Sequence, residues 1–312
     1  MKRALVTGAA GFLGSHLVDS LLADDYFVYA MDNLSTGDIR NLYGAMDHEN
    51  FVWVKRDVRD SYTEIKVDEI YNFACPASPP KYQADPIGAF WTSITGVKNA
   101  IDCALNNNAK LTQASTSEVY GDPLMHPQPE SYWGNVNTVG VRSCYDEGKR
   151  AAETMLHDYA QHRGLKAKIV RIFNTYGPRM SPTDGRVVSN FINQALRGED
   201  ITIYGDGSQT RSFTYYKDLI RGIRDFMDLT PDSFMGPMNI GNDTEFTVGE
   251  LANLVIQLTD SSSKVVYNPL PKDDPCKRKP DLTLAKQMIG FGGLTPLQTG
   301  LNETIEYFKG LK

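Results

Sequence analysis

The chain is short of the features that mark metal, disulfide, membrane and nucleic-acid proteins. Its four cysteines, Cys75, Cys103, Cys144 and Cys276, form no C-x-x-C pair and no zinc spacing. None of the five histidines makes a metal-ligand pair on one helical face. Neither a disulfide framework nor a metal site is therefore expected, and the thiols read as free in a reducing compartment. No apolar run approaches the ~20 residues of a bilayer span, and an expected strand a few residues after Met1 leaves no room for a signal sequence. A soluble, cytoplasmic chain is the expectation. Basic charge is scarce as well: 32 Lys and Arg face 38 Asp and Glu, a net charge of −6. Broad attraction to nucleic acid or acidic membrane is not expected, so any phosphate must be held by local donors. There is no internal repeat, flexible linker or low-complexity segment.

What is present suits a large core. With 312 residues and 41% hydrophobic content, one large domain or two intimately joined ones are expected. Ala4-Leu5-Val6 leads into Thr7-Gly8-Ala9-Ala10-Gly11-Phe12-Leu13-Gly14, and then Leu17, Val18, Leu21 and Leu22 recur at helical spacing. This reads as strand, glycine turn and helix. Gly8 permits the sharp turn, Gly11 clears the approach of a pyrophosphate to the helix N-terminus, and Gly14 lets helix and strand pack closely. The spacing is G-x-x-G-x-x-G, and a plain tight turn remains an alternative. The next apolar run, Phe27 to Met31, ends in Asp32, where a carboxylate can accept the adenosine ribose hydroxyls and repel a 2′-phosphate, favouring NAD over NADP. A strand-end turn is the bland reading of Asp32. After the expected strand Phe51 to Lys55, Asp57 and Val58 are placed to flank the adenine.

A strand from Glu69 to Phe73 runs into the proline-rich Ala74-Cys75-Pro76-Ala77-Ser78-Pro79-Pro80, and a long helix is expected over Pro86 to Asn106. The strand Lys110 to Ala114 then delivers Ser115-Thr116-Ser117-Glu118 at its carboxyl end, where open parallel sheets bind ligands. Such hydroxyl runs also serve as mere helix caps. The alternation through Ala167 to Phe173 predicts an α/β chain with a Rossmann-type doubly wound parallel sheet. Residues 1–178, with a returning segment near 212–242, read as the NAD-binding domain. Residues 179–312, punctuated by Pro182, Gly185, Gly198 and Gly205-Asp206-Gly207, read as a smaller α+β substrate lobe. Thr247 with Glu250 and Thr295 with Gln298 spell capping boxes, the second with Pro296 at the first helical position.

Tyr145 and Lys149 are four residues apart, so a helix would put phenol and ammonium on one face. A nearby cation favours phenolate and brings tyrosine toward use as a base. With 16 tyrosines, about one Tyr-x-x-x-Lys match is expected by chance. Two occur, and Tyr62 with Lys66 reads as a solvated surface pair. Only Tyr145 follows a complete dinucleotide pattern. Arg171, Arg179, Arg186 and Arg211 are candidates to reach inward toward a diphosphate, whereas Lys277-Arg278-Lys279-Pro280 also fits a solvated charged loop.

Several long motifs resemble the extended short-chain dehydrogenase/reductase family and, within it, the UDP-glucuronate decarboxylases. They include Ala74 to Pro80, Ala114 to Pro123, His126-Pro127-Gln128, Tyr132-Trp133-Gly134, Arg142 to Thr154 and Arg171 to Met180. Asp184 to Ile192, Tyr204 to Phe213, Asp273-Asp274-Pro275 and Lys277 to Asp281 continue the likeness over nearly the whole chain. The resemblance implies that Tyr145 takes the proton of a sugar C4 hydroxyl while hydride passes to NAD. Carbon dioxide then leaves from C5, the resulting enolate is reprotonated, and C4 is reduced again. It implies that Lys149 supports the phenolate, that Thr116 and Ser117 hold the C4 oxygen, and that Glu118 and Arg278 work at the C5 side. For the cofactor it implies contacts from Phe12, Leu13 and Asn33, from Phe73, Ala74 and Thr92, and from Ala114 and Thr175. For a UDP-sugar it implies Pro79, Tyr82, Asn174, Val187 and Tyr204 alongside Arg179, Arg186, Arg211 and Arg278. A homodimer through the helices after Pro86 and Tyr145 is implied too.

Ser117 argues against a 4,6-dehydratase, which needs a stronger acid at that position, and Glu118 argues against a 4-epimerase. A non-catalytic NAD-binding scaffold would have no use for Tyr145, Lys149, Thr116 and Glu118 together. The chain departs from the family pattern at Trp91, where a lysine near the substrate is usual. Asn72, Val141 and Tyr216-Lys217 also replace the usual His, Pro and Val-Asp.

Overall fold

The computed structural model describes residues 1–269 and 277–311, so Asp273-Asp274-Pro275 and Cys276 lie outside the described residues. Apolar runs too short for buried helices form seven strands: β1 (Arg3–Thr7), β2 (Phe27–Asp32), β3 (Phe51–Lys55), β4 (Glu69–Asn72), β5 (Lys110–Thr116), β6 (Lys166–Ile172) and β7 (Met238–Ile240). They pair only in parallel, in the order β7-β6-β5-β4-β1-β2-β3. This is the doubly wound Rossmann-type sheet that the alternation predicts. The chain leaves β1 toward β2 and β3, then returns to the other side of β1 as β4. That reversal opens a crevice at the carboxyl ends of β1 and β4.

Strand periodicity fills both faces. Ala4 and Val6 pack on one side with Leu17, Val18 and Leu21 of α1 (Phe12–Ala23) and with Ile223 and Phe226. Leu5, between them, faces the other cluster with Ile70, Ile101, Leu111 and Leu156. Leu156 belongs to α2 (Ser143–Arg163), which carries Tyr145 and Lys149. A third core joins α3 (Val187–Arg197) to the helices Val248–Thr259 and Leu297–Lys309 through Phe191, Ile192, Leu251, Val255, Leu301 and Ile305. Beside it the strand Thr210–Ser212 lies between Glu245–Thr247 and Lys277–Arg278. α4 (Tyr216–Leu229) contributes Ile223 and Phe226 to the first core, and β7 extends the main sheet.

The long helix expected from Pro86 is present and runs to Asn107, with a wide π turn at Thr92–Gly96, where a Cβ on Gly96 would sit 2.8 Å from Val58 Cγ2. Two local expectations are corrected. Thr295 forms no capping box. Its backbone N–H donates to Asp218 Oδ2 at 2.8 Å, and the helix starts at Leu297 with Pro296 as N-cap. Tyr62 is not a surface residue paired with Lys66 on a helix; it is fully buried in the second core and lies outside any helix. The Thr247–Glu250 capping box is formed.

Candidate active site

The crevice is a cleft of about 1890 Å³. One wall is the glycine turn. Gly8 has φ +68°, and a Cβ there would lie 2.8 Å from Ala74 N, while one on Gly14 would lie 2.1 Å from Gly8 O. Both glycines are therefore required by sterics. Gly11 is the N-cap of α1 and makes no side-chain cap, so the first-turn N–H groups at Phe12 and Leu13, which line the cleft, are available to an anion.

Asp32, at the end of β2, is buried. Its Oδ2 accepts from Ala10 N at 3.0 Å and its Oδ1 from Leu34 N at 2.8 Å. Burial raises its carboxyl above the usual range, and the N–H groups of Leu34, Ala10 and Asn33 oppose that shift. Asn33 donates to Asp57 Oδ2 at 2.9 Å, and Asp57 and Val58 line the same end of the cleft. Phe73, Ala74, Thr92, Ala114 and Thr175 also line it.

Tyr145 lies one helical turn from Lys149 as predicted, with the Lys149 Nζ 5.7 Å from the phenol ring centroid. Tyr145 is only 6% exposed and burial pushes its phenol well above the tyrosine range; the neighbouring Cys75 thiol adds to this, while a hydrogen bond with Thr116 works against it. Lys149 donates to Ala114 O at 2.7 Å. The ammonium is thus anchored at the end of β5, one helical turn from the phenol. Tyr82, expected against substrate, does not line the cleft. It stacks behind Tyr145, centroids 5.1 Å apart and rings within 6° of parallel.

Thr116 closes β5, and its hydroxyl caps the one-turn 3-10 helix Ser117–Tyr120 by accepting from Glu118 N at 3.2 Å. That short turn aims Glu118 into the cleft. Arg278 grips both Glu118 oxygens, and Arg142 Nη2 reaches Oε2 at 2.8 Å. Burial opposes ionisation, but the charges of Arg278 and Arg142 override it and draw the carboxyl down to about 2. Glu118 is thus an anion near neutral pH, poorly suited to store a proton. Arg278 gets there because Lys277–Arg278 pairs with Thr210–Ser212.

Pro79, Asn174, Arg179, Arg186, Val187, Tyr204 and Arg211 line the remainder of the cleft, with Ser117. Arg186 is paired with Asp184, Arg179 reaches Asp19 at 2.7 Å, and Arg211 donates to Thr210 O at 2.9 Å. Arg171 does not reach inward: it is held by Glu153 at 2.7 and 3.1 Å and by Tyr120 Oη and Glu130 O at 3.0 Å. Trp91 is 51% exposed and is not part of the cleft wall, which its neighbour Thr92 joins.

Sequence reasoning missed two residues. Arg142 lies one turn before Tyr145, a spacing that could have flagged it. Asp146, next to Tyr145, is buried with Oδ1 lacking a partner among the described residues. Burial, reinforced by the Glu118 charge and opposed by Arg142, pushes its carboxyl up to about 7.

The NAD dependent epimerase/dehydratase family model matches residues 4–241. UDP-glucuronic acid decarboxylase 1 of Danio rerio is 48% identical over 307 residues, which are 98% of this chain and 72% of its own length. UDP-glucose 4-epimerase of Thermotoga maritima, solved with UDP-glucose, matches with a TM-score of 0.91 at 31% identity, covering 99% of this chain and 100% of its own. UDP-glucuronic acid 4-epimerase of Bacillus cereus, solved with UDP-glucuronic acid and NAD, matches at 0.90 and 25%, covering 99% and 100%.

Proposed function

The chain belongs to the NAD dependent epimerase/dehydratase family, and from that premise we propose that it is a UDP-glucuronate decarboxylase, forming UDP-xylose and carbon dioxide while its NAD is regenerated in each turnover. The observation that carries this reading is the Glu118 anion clamped by Arg278 and Arg142 beside Tyr145, Lys149 and Thr116. A 4-epimerase has no need of a fixed carboxylate at that place.

The residues present fit NAD. The glycine turn leaves a cradle that a Cβ would fill, and Asp32 presents a carboxylate where an adenosine ribose is bound. When bound, NAD supplies the hydride acceptor and later the donor for the sugar C4, and its cationic ring favours the phenolate of Tyr145. Tyr145 removes the C4 hydroxyl proton and returns it in the last step. Thr116 and Ser117 hold the C4 oxygen as it becomes a carbonyl. Lys149, fixed on Ala114 O, supplies positive charge behind the phenol. With C4 oxidised, the carboxylate on C5 is β to a ketone and leaves as carbon dioxide; the electrons of the broken bond pass into an enolate, which takes a proton from solvent at C5 before C4 is reduced again. Arg278 and Arg142 keep Glu118 ionised and hold it in place on the C5 side of the sugar. Arg179, Arg186 and Arg211 serve the nucleotide diphosphate.

Residues 1–178 with 212–242 hold the cofactor in this reading, and 179–312 hold the sugar nucleotide. A homodimer is supported by exposed apolar side chains at Ile87 (71%), Trp91 (51%), Val139 (91%) and Val141 (56%), on and beside the Pro86 helix. A cytoplasmic location is proposed from the free thiols at Cys75, Cys103 and Cys144. No described helix is long and apolar enough to cross a membrane. Incubation with UDP-glucuronate followed by NMR tests the activity: UDP-xylose supports it, and UDP-galacturonate would make the chain an epimerase.

A further inference from the structure

The cleft wall around Asp32 carries three guanidiniums, Arg40, Arg56 and Arg59. Each is tied to Asp32 through a short chain of contacts. Asp32 Oδ2 accepts from Ala10 N, and the carbonyl of that same Ala10 accepts from Asp38 N and from Asn41 Nδ2, both at 2.9 Å. The segment that carries Asp38 and Arg40 is therefore fixed next to the carboxylate, with the Arg40 guanidinium itself largely exposed. Arg56 N donates to Asp32 O at 3.1 Å, and Asn33, next to Asp32, donates to Asp57, the partner of Arg59.

Each guanidinium is also already neutralised. Arg40 Nε lies 3.0 and 2.9 Å from the two Asp38 oxygens, Arg59 meets Asp57 at 3.0 and 2.8 Å, and Arg56 pairs with Glu64. In dinucleotide folds a ribose 2′-phosphate is received by an arginine at this place, and the 2′-hydroxyl by the acid. Here the arginines exist but their charge is occupied.

We propose that cofactor choice is enforced twice in this chain: Asp32 repels a 2′-phosphate, and Asp38, Asp57 and Glu64 withhold the guanidiniums that would otherwise accept it. Arg40 is a latent 2′-phosphate site, and Asp38 is the specificity residue that masks it. The proposal rests on the NAD assignment but not on the identity of the sugar, and its test needs no turnover.

The test is calorimetric titration with NAD and with NADP. Asp38→Asn keeps an oxygen to cap Arg40 N and loses the charge, and Asp32→Asn keeps an acceptor for Ala10 N. The double variant is expected to bind NADP about tenfold more tightly than Asp32→Asn alone, the effect of one charge-assisted hydrogen bond. Asp38→Asn alone gives a smaller gain, and the gain weakens as salt is added. Adding Arg40→Ala to the double variant removes it. A double variant no better than Asp32→Asn, or a gain that survives Arg40→Ala, would overturn the proposal. A wild type that prefers NADP, or binds neither dinucleotide, would instead refute the NAD assignment beneath it.

Discussion

Removing Arg142 gives the sharpest test of the Glu118 clamp. Arg142→Ala deletes the charge-assisted hydrogen bond, at 2.8 Å, to a carboxylate with 13% side-chain exposure, while Arg278 keeps both of its contacts. Loss of the whole clamp would cost about 3–5 kcal/mol, as for an uncompensated buried charge, but one of two arginines remains. The cost is then about 1.5–3 kcal/mol, a drop in melting temperature of roughly 2–5 °C for a chain of this size. The pH dependence follows from Glu118. Its folded pKa, about 2, lies below the ordinary 4.5, so its stabilisation is present above 4.5 and is lost as pH falls through about 2. The gap between variant and wild type should be widest near neutral pH and should narrow from pH 4.5 downward, as read by scanning calorimetry across pH. Turnover should fall as well, because the carboxylate loses one of its two restraints. Equal melting temperatures at pH 7 together with unchanged turnover would refute the clamp.

Other consequences follow from the same structure. Tyr145→Phe should lower turnover by roughly 10² to 10⁴ while NAD remains bound, seen by steady-state assay and nucleotide absorbance. The Asp146 carboxyl, pushed to about 7 from 3.8, destabilises the fold increasingly as pH rises between those values. Asp146→Asn should therefore raise the melting temperature by a few °C at pH 8 and change it little below pH 4, and no gain at pH 8 would contradict this burial argument. Gly14→Ala puts a methyl 2.1 Å from Gly8 O, a backbone atom with nowhere to go, so NAD binding should be lost in a titration.

The parts of the site that were legible in the sequence are local. Gly8, Gly11, Gly14 and Asp32 lie on one strand-turn-helix-strand unit, where spacing fixes geometry. Tyr145 and Lys149 share one helix. Glu118 and Arg278 are 160 residues apart, and only the pairing of Lys277–Arg278 with Thr210–Ser212 brings them together. Spacing said nothing of that contact; the family likeness did. Which of the four arginines reach inward could not be read from residue type, since Glu153 claims Arg171, and the stacking of Tyr82 on the Tyr145 ring is likewise invisible to spacing. The i+4 lysine of Tyr145 is visible in the sequence, but the burial of its phenol is not. Thr295 lost its cap to Asp218, a tertiary competitor 77 residues away.

The most direct measurement is NMR of UDP-glucuronate incubated with the protein in deuterated water. The expected result is UDP-xylose with one solvent deuterium at C5, the substrate's own hydrogen retained at C4, and release of carbon dioxide. UDP-galacturonate with its carboxylate intact, or unchanged substrate, would contradict it.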